Sequence, residues 1–298
     1  MHSESAAPSA VTASALLAEL ASSLGGPAEA RWVLAAAGGL AAHALPGVES
    51  LCSAEVAASA RAMARRCAGG EPLQYVLGTW AFRSLEVMVD PRVLIPRPET
   101  EVVAGLALEL VSGRRSGGHV TAVDLGTGSG VIALSLAAEG PAGLEVWAGD
   151  VSTPALEVAR ANLDVLAQPD PAAGARVRLV AGSWFEALPR RLAGTVDVVV
   201  SNPPYVSEGE WEGLEPVVRD HEPKLALVPG AAGTEALAHL VEQAPLWLCP
   251  GGALVLELAP HQADVMMAVA VERGFHPVSV RQDLAGRRRA LVARWPGP

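Results

Sequence analysis

The chain has 298 residues, half of them hydrophobic, and a formal net charge of −10 at pH 7. That length points to about two domains with room for a sizeable core. The acidic balance, with Lys224 as the only lysine, argues against a non-specific grip on polyphosphate. Cys52, Cys67 and Cys249 form no CxxC pair, so reduced, buried thiols are expected rather than a disulfide framework or zinc site. Glu19, Glu29, Arg31 and His43 interrupt the Ala-rich stretches well short of the roughly 18 apolar residues of a membrane span. The first 20 residues have neither the basic start nor the long apolar centre of a signal peptide, so the expected location is cytoplasmic.

Residues 1–10 are small and polar and are expected to fray. Segments 11–23, 28–40 and 53–68 carry Ala, Leu, Val and Met at helical spacing, punctuated by Gly25-Gly26-Pro27 and Pro46-Gly47. They predict a small N-terminal helical domain over residues 1–73. Tyr75, Val76, Trp80, Phe82, Val87 and Val89 alternate more like strands, which predicts a β-hairpin linker over 74–95. Pro91, Pro96 and Pro98 then stiffen the start of a second domain, residues 96–298.

From about residue 100 strands alternate with helices, which predicts an α/β domain with a mostly parallel sheet covered on both faces. The expected strands are 120–124, 144–149, 176–181, 195–200, 252–258, 275–281 and 288–294. The expected helices are about 99–112, 129–138, 153–165, 232–246 and 260–273, with surface loops at 113–118 and 168–174.

Val123-Asp124-Leu125-Gly126-Thr127-Gly128-Ser129-Gly130 falls where the first of these strands turns into a helix. Glycines there let backbone approach a ligand, and a helix N-terminus offers N–H groups. The third glycine comes one position too early for the dinucleotide fingerprint, with Val131 in its place, so a nucleoside ligand without a pyrophosphate fits better than NAD. An ordinary glycine-rich turn would look the same. Asp150 ends the next strand about 20 residues on, where a carboxylate can take both ribose hydroxyls. Its alternative task, capping the following helix, can be done by Ser152. Trp184 follows the third strand and could flank an adenine or simply pack into the core.

Val196-Asp197-Val198-Val199-Val200-Ser201 reads as a buried strand, and Asn202-Pro203-Pro204-Tyr205 follows it. N-P and P-P are also common turn dipeptides. At a strand end, however, the four residues make a rigid lip suited to a planar amide or amino group, pointing to methyl transfer onto nitrogen. A carboxamide nitrogen is a poor nucleophile because its lone pair is delocalised. Two acceptors on its N–H bonds fix its orientation and favour the positive charge that develops on it. The Asn202 side-chain oxygen and the Pro203 carbonyl can be those acceptors, and Pro203 and Pro204 restrict the backbone that carries them. The Tyr205 ring can pack against the planar group. Positioning carries such a displacement, and no strong base is required.

These segments resemble the bacterial peptide chain release factor glutamine methyltransferases over nearly the whole chain. The generic matches are Asp124 to Gly130, Asp150 and Asn202 to Tyr205. More specific are Glu71-Pro72-Leu73-Gln74-Tyr75-Val76-Leu77-Gly78 and Val93-Leu94-Ile95-Pro96-Arg97-Pro98-Glu99-Thr100-Glu101. His221-Glu222-Pro223-Lys224-Leu225-Ala226-Leu227, Gly251 to Glu257, and Asp283-Leu284-Ala285-Gly286-Arg287 complete the set. The resemblance implies a helical bundle, a hairpin linker and a Rossmann-like class I methyltransferase domain with a seven-stranded sheet. It implies methylation of the glutamine side-chain nitrogen in the Gly-Gly-Gln motif of release factors, with S-adenosyl-L-methionine as donor and S-adenosyl-L-homocysteine as product. Gly126, Thr127, Gly128, Ser129, Gly130 and Asp150 would hold the donor, with Trp184 beside its adenine. Thr100, with Glu99, would lie at its methionine end, although both could equally cap a helix. Asn202 would touch donor and acceptor, while Asn202, Pro203, Pro204 and Tyr205 would hold the glutamine. The N-terminal 68 residues match in character only, so docking of the release factor through them follows from the resemblance alone.

His43, His119, His239, His261 and His276 lack metal-ligand spacing, and no metal is expected. His221 lies in a matching motif but is given no chemistry. Arg287-Arg288-Arg289 could meet phosphate or form a solvated turn before the last strand. The rival functions are methylation of an exocyclic amino group of a nucleic-acid base and a non-catalytic binding role. The first calls for a basic groove or base-recognition insert, which the sequence lacks; the intact Asn202 and glycine loop oppose the second. A monomer with no nucleic-acid or membrane partner is expected.

Overall fold

A computed structural model describes residues 11–40, 50–114 and 118–298. The expectations for residues 1–10, His43, Pro46-Gly47 and residues 115–117 of the 113–118 loop lie outside the described residues. The chain divides into two compact units, Met1–Thr79 with Pro216–His221, and Trp80–Glu215 with Glu222–Pro298. No helix among the described residues is long and apolar enough to cross a membrane.

In the first unit the longer described helices span Ala13–Ser23, Pro27–Ala37 and Ala54–Ala68. Thr12 and Ser53 cap the first and third by accepting from the N–H groups of Ala15 and Val56. Leu16, Leu20, Leu24, Val33 and Leu34 close a small core against Ala30, Ala57, Ala60 and Ala64. The alanines explain why the segment reads as helix without a specific motif, since small side chains let helices approach with little sequence constraint. The first helix starts two residues later than expected. Val11–Thr12 (β1) instead pairs antiparallel with Leu51–Cys52 (β2).

The linker differs from its expected form. Tyr75 and Val76 lie on a short helix, Leu73–Leu77, and not on a strand. The Pro72 carbonyl accepts from the Val76 N–H at 3.1 Å, and Gly78, at φ +78, closes the turn by donating to the Gln74 carbonyl at 2.9 Å. Tyr75 and Val76 are both buried. Adjacent buried residues suit a helix face better than one face of a strand, where side chains alternate. Only Thr79–Phe82 (β3) and Leu85–Met88 (β4) form the hairpin.

The second unit carries a seven-stranded sheet. Its strands are Val120–Leu125 (β5), Leu144–Asp150 (β6), Val177–Ala181 (β7), Val196–Ser201 (β8), Leu248–Glu257 (β9), Val278–Gln282 (β10) and Arg288–Arg294 (β11). Their spatial order is β10-β11-β9-β8-β5-β6-β7. The ladders from β7 to β9 are parallel, and β11 runs antiparallel to both neighbours. Every residue of β5 is buried, as befits a parallel strand covered on both faces. The chain reverses its winding between β5 and β8, which opens a crevice at their carboxyl ends.

Several boundaries moved for local reasons. The helix expected over 129–138 spans Val131–Glu139, because Gly130 sits at φ +88 before it. The strand expected over 275–281 is Val278–Gln282, because Phe275 is buried as a core plug. β9 begins at Leu248, four residues early, and its register against β8 shifts between Val196 and Val198. The helices expected over 232–246 and 260–273 are the shorter Glu235–Gln243 and Ala263–Glu272.

Leu254 is fully buried, opposite Val199 on β8 and Ala293 on β11. A Leu254→Ala change should therefore cost about 2–5 kcal/mol by losing burial and leaving a cavity. Urea unfolding of the intact chain reads this as a lower midpoint at unchanged slope. A loss below about 1 kcal/mol would contradict the packing described.

Candidate active site

A cavity of about 490 Å³ opens where β5, β6 and β8 end. Its wall includes Thr100, Gly126 to Ser129, Asp150, Trp184, Asn202 and Pro204. Residues far apart in the chain thus meet because parallel strands deliver their carboxyl ends to one edge. Gly130 stands just behind the wall, and a Cβ there would come within 3.4 Å of Leu134 and Ala159.

Gly126, Gly128 and Gly130 have φ of +73, +56 and +88, so the loop needs glycine for its path. Its N–H groups are less free than expected. Those of Gly126 and Thr127 donate to the Gly149 carbonyl at 2.8 and 3.0 Å, and that of Gly128 donates to Asp150 Oδ2 at 2.9 Å. The loop is therefore built for close backbone approach rather than as an open row of donors. Asp124 braces it from below by accepting from the Thr127 hydroxyl at 2.6 Å and the Ala133 N–H at 3.2 Å. Burial pushes the Asp124 carboxyl up to about 7.

Asp150 Oδ1 accepts from the Ser152 N–H at 2.8 Å. Ser152 caps the next helix through Ala155, which leaves Asp150 facing the cavity. Each carboxylate oxygen keeps a further lone pair for a ligand hydroxyl. Burial raises the Asp150 pKa. Trp184, at φ +46, borders the cavity and also packs against the core. A Cβ on Gly126 would come within 3.4 Å of its ring.

Also on the wall, Asn202 Nδ2 donates to Thr100 Oγ1 at 3.1 Å, and the Thr100 hydroxyl donates to Glu257 Oε2 at 2.7 Å. Tyr205 donates its hydroxyl to Glu257 Oε1 at 3.2 Å, and burial raises the phenol's pKa. The Tyr205 carbonyl accepts from Gln262 Nε2 at 2.9 Å. Neither Pro203 nor Tyr205 is on the cavity wall; Pro204 and Asn202 are.

The sequence reading missed three contributors. Glu222 is buried and accepts from the Ile95 N–H at 3.1 Å and from the Arg97 guanidinium, so it braces the Val93–Pro96 stretch of the wall. Asn162 accepts from the Met88 N–H at 2.7 Å and donates to the Ser129 carbonyl at 2.9 Å, tying the hairpin to the glycine loop. Glu257 ends β9 beneath the lip. A polar residue inside an apolar run was the available signal for Glu257; Asn162 carried none. His239, given no role, stands at the cavity wall. The three arginines pair with carboxylates: Arg287 with Asp283 and Glu99, Arg288 with Asp264, and Arg289 with Glu99 and Asp283 at 3.7 Å. Glu99 thus engages arginines.

Residues 107–215 match the family model described as Methyltransferase small domain. Among curated proteins, the release factor glutamine methyltransferase of Thermosynechococcus vestitus is 41% identical over 76% of this chain and 75% of its own. That of Streptomyces coelicolor is 42% identical over 75% and 76%, and that of Geobacter sulfurreducens 37% over 89% and 88%. A solved structure described as the hMettl16 catalytic domain in complex with MAT2A 3'UTR hairpin 6 has a TM-score of 0.52 at 15% identity. It covers 71% of this chain and 75% of that one, a likeness of fold alone.

Proposed function

This chain belongs to the release factor glutamine methyltransferases, and we propose that the cavity at the ends of β5, β6 and β8 is where it performs that reaction. The enzyme transfers a methyl group from S-adenosyl-L-methionine to the side-chain nitrogen of the glutamine in the Gly-Gly-Gln motif of peptide chain release factors. Its sheet is the Rossmann-like class I methyltransferase arrangement.

The residues present suit the donor. The cavity volume falls within the range of small-molecule sites, and three glycines in the left-handed region leave room for a ligand along one wall. When bound, S-adenosyl-L-methionine supplies an electrophilic methyl group on a sulfonium. Gly126, Thr127, Gly128, Ser129 and Gly130 line or support its nucleoside end, and Asp150 accepts from the ribose hydroxyls. Trp184 borders the adenine, while Thr100 and Asn202 face the methionine end. No residue is assigned to a metal, and S-adenosyl-L-homocysteine is the product.

The observation that carries this reading is the orientation of the Asn202 amide. Its Nδ2 is committed to Thr100, so among the described residues Oδ1 is the end left for the cavity. That oxygen can accept one N–H of the glutamine amide, and the Pro203 carbonyl can accept the other. Both favour positive charge developing on nitrogen. Pro204 bounds the acceptor slot, and Tyr205 anchors the end of the lip. The methylated amide releases its proton to water, so no side-chain base is needed.

We assign release-factor docking to the helical domain, residues 1–73, with 74–95 as linker and 96–298 as the catalytic domain. The enzyme acts as a monomer in the cytoplasm, without a nucleic-acid or membrane partner. Incubation with methyl-labelled donor and either release factor or total RNA tests the reading. Mass spectrometry should find one added methyl on the Gly-Gly-Gln glutamine. Label confined to RNA would overturn it.

A further inference from the structure

Glu257 takes no part in the steps above, yet it is fully buried beneath the lip. Both its oxygens are occupied by hydroxyl donors, Thr100 on one and Tyr205 on the other. A hydroxyl has one proton to give. Once Thr100 gives it to Glu257, its oxygen can only accept, and it accepts Nδ2–H of Asn202. The amide then has one allowed orientation, with Oδ1 toward the cavity.

The opposite arrangement is disabling. If the group at 257 donated a proton to Thr100, the Thr100 hydroxyl would turn to Asn202 and demand its oxygen. The amide would rotate and present NH₂ to the NH₂ of the glutamine, donor against donor. The lip would keep its shape and lose its side-chain acceptor.

We propose that Glu257 is a positioning residue: its carboxylate, acting through Thr100, dictates which end of the Asn202 amide faces the acceptor, and through Tyr205 it holds the far end of the lip. The proposal rests on the reading that Asn202 receives the glutamine amide. It adds that the polarity of the lip is set from β9, a strand that contributes no wall residue.

The charged groups facing Glu257 are Arg289 on β11, which favours the ionised form, and Glu99 in the first turn of the helix Pro98–Ser112, which opposes it. Thr100 and Tyr205 stabilise the ionised form by donating to it, while Ser201 and Asn202 at the end of β8 carry no charge. Burial outweighs the favourable contacts and pushes the carboxyl up to about 7. Glu257 is therefore ionised above about pH 7, and turnover should fall as pH drops through that region.

The test compares the full-length enzyme with Glu257→Gln, Thr100→Val and Thr100→Ser. Each is assayed on release factor across pH, with donor affinity measured by calorimetry. Glutamine can donate to Thr100 at every pH and so imitates the protonated carboxyl. Glu257→Gln should lower kcat about tenfold or more, hold the Kd for S-adenosyl-L-methionine within about twofold, and abolish the acid limb of the kcat profile. Thr100→Val should lose turnover similarly, and Thr100→Ser, which restores the hydroxyl, should recover most of it. A merely structural role would lower thermal stability but leave the acid limb in place. The proposal is overturned if Glu257→Gln keeps that limb or near-full kcat. Should that variant fail to fold, equal turnover by the Val and Ser variants overturns it instead. Absence of labelled glutamine with the unaltered enzyme overturns the reading of the site and the proposal with it.

Discussion

Asn202→Ala should lower kcat on release factor by roughly 10²–10³-fold, the range seen when one preorganised polar group is removed from the site of developing charge. The affinity for S-adenosyl-L-methionine should change far less, because the glycine loop, Asp150 and Trp184 remain. Stability should also change little: Asn202 is half-buried and makes one side-chain bond, to Thr100, worth about 1 kcal/mol. The loss should thus appear in kcat rather than in folding. Asn202→Asp should not rescue it. A carboxylate there would face a Thr100 oxygen whose only proton already goes to Glu257, and would place a second negative charge near a buried one. Single-turnover assays with saturating donor read the effect directly. Turnover within about tenfold of the unaltered enzyme would remove Asn202 from the catalytic role.

Asp150→Ala should raise the Kd for S-adenosyl-L-methionine about 100-fold. Hydrogen bonds to a charged group are worth about 1.5–3 kcal/mol each, and about 3 kcal/mol is two orders of magnitude in affinity. The substitution also frees the Gly128 and Ser152 N–H groups, loosening the loop and the start of the next helix. Asp150→Asn should do no better. An amide NH₂ placed on either backbone N–H would set donor against donor, and its single oxygen cannot serve both. The pH dependence has a definite sign. Burial raises the Asp150 pKa, and ribose hydroxyls donate best to the ionised form, so donor affinity should weaken as pH falls toward that raised value. Calorimetry on the intact enzyme measures both effects. A Kd within about threefold of the unaltered enzyme for Asp150→Ala would exclude the ribose role.

The two changes should separate cleanly, one lowering turnover at saturating donor and the other donor affinity. Both line one cavity but are served by different strands. Asp150 ends β6, while Asn202 follows β8 and is held by a residue from the helix Pro98–Ser112.

Much of the second unit was legible because parallel strands announce themselves. Val196 to Ser201 is a nearly unbroken apolar run, and glycines at 126, 128 and 130 mark the turn at a strand end. The misreadings have local causes. Tyr75 and Val76 carry strand-like side chains, but Pro72 and Gly78 bracket a short helix around them and override that preference. Phe275 resembled the first residue of a strand because a core plug and a buried strand residue have the same composition.

What the sequence determined alone was the order of the sheet strands and main helices of the second unit, the glycine path, the carboxylate at the end of β6 and the Asn-Pro-Pro-Tyr lip. Each is local, spelled by residues within a few positions of one another. What only the tertiary structure decided was polarity. Asp124 and Asp150 look alike as strand-end acids, yet one is sealed beneath the loop and the other faces the cavity. Asn202 could present either end of its amide until Thr100, 102 positions before it in the chain, and Glu257, 157 positions after Thr100, are brought together with it. A hydrogen bond's direction depends on where the donated proton finally rests, and that is settled only when distant strands have packed.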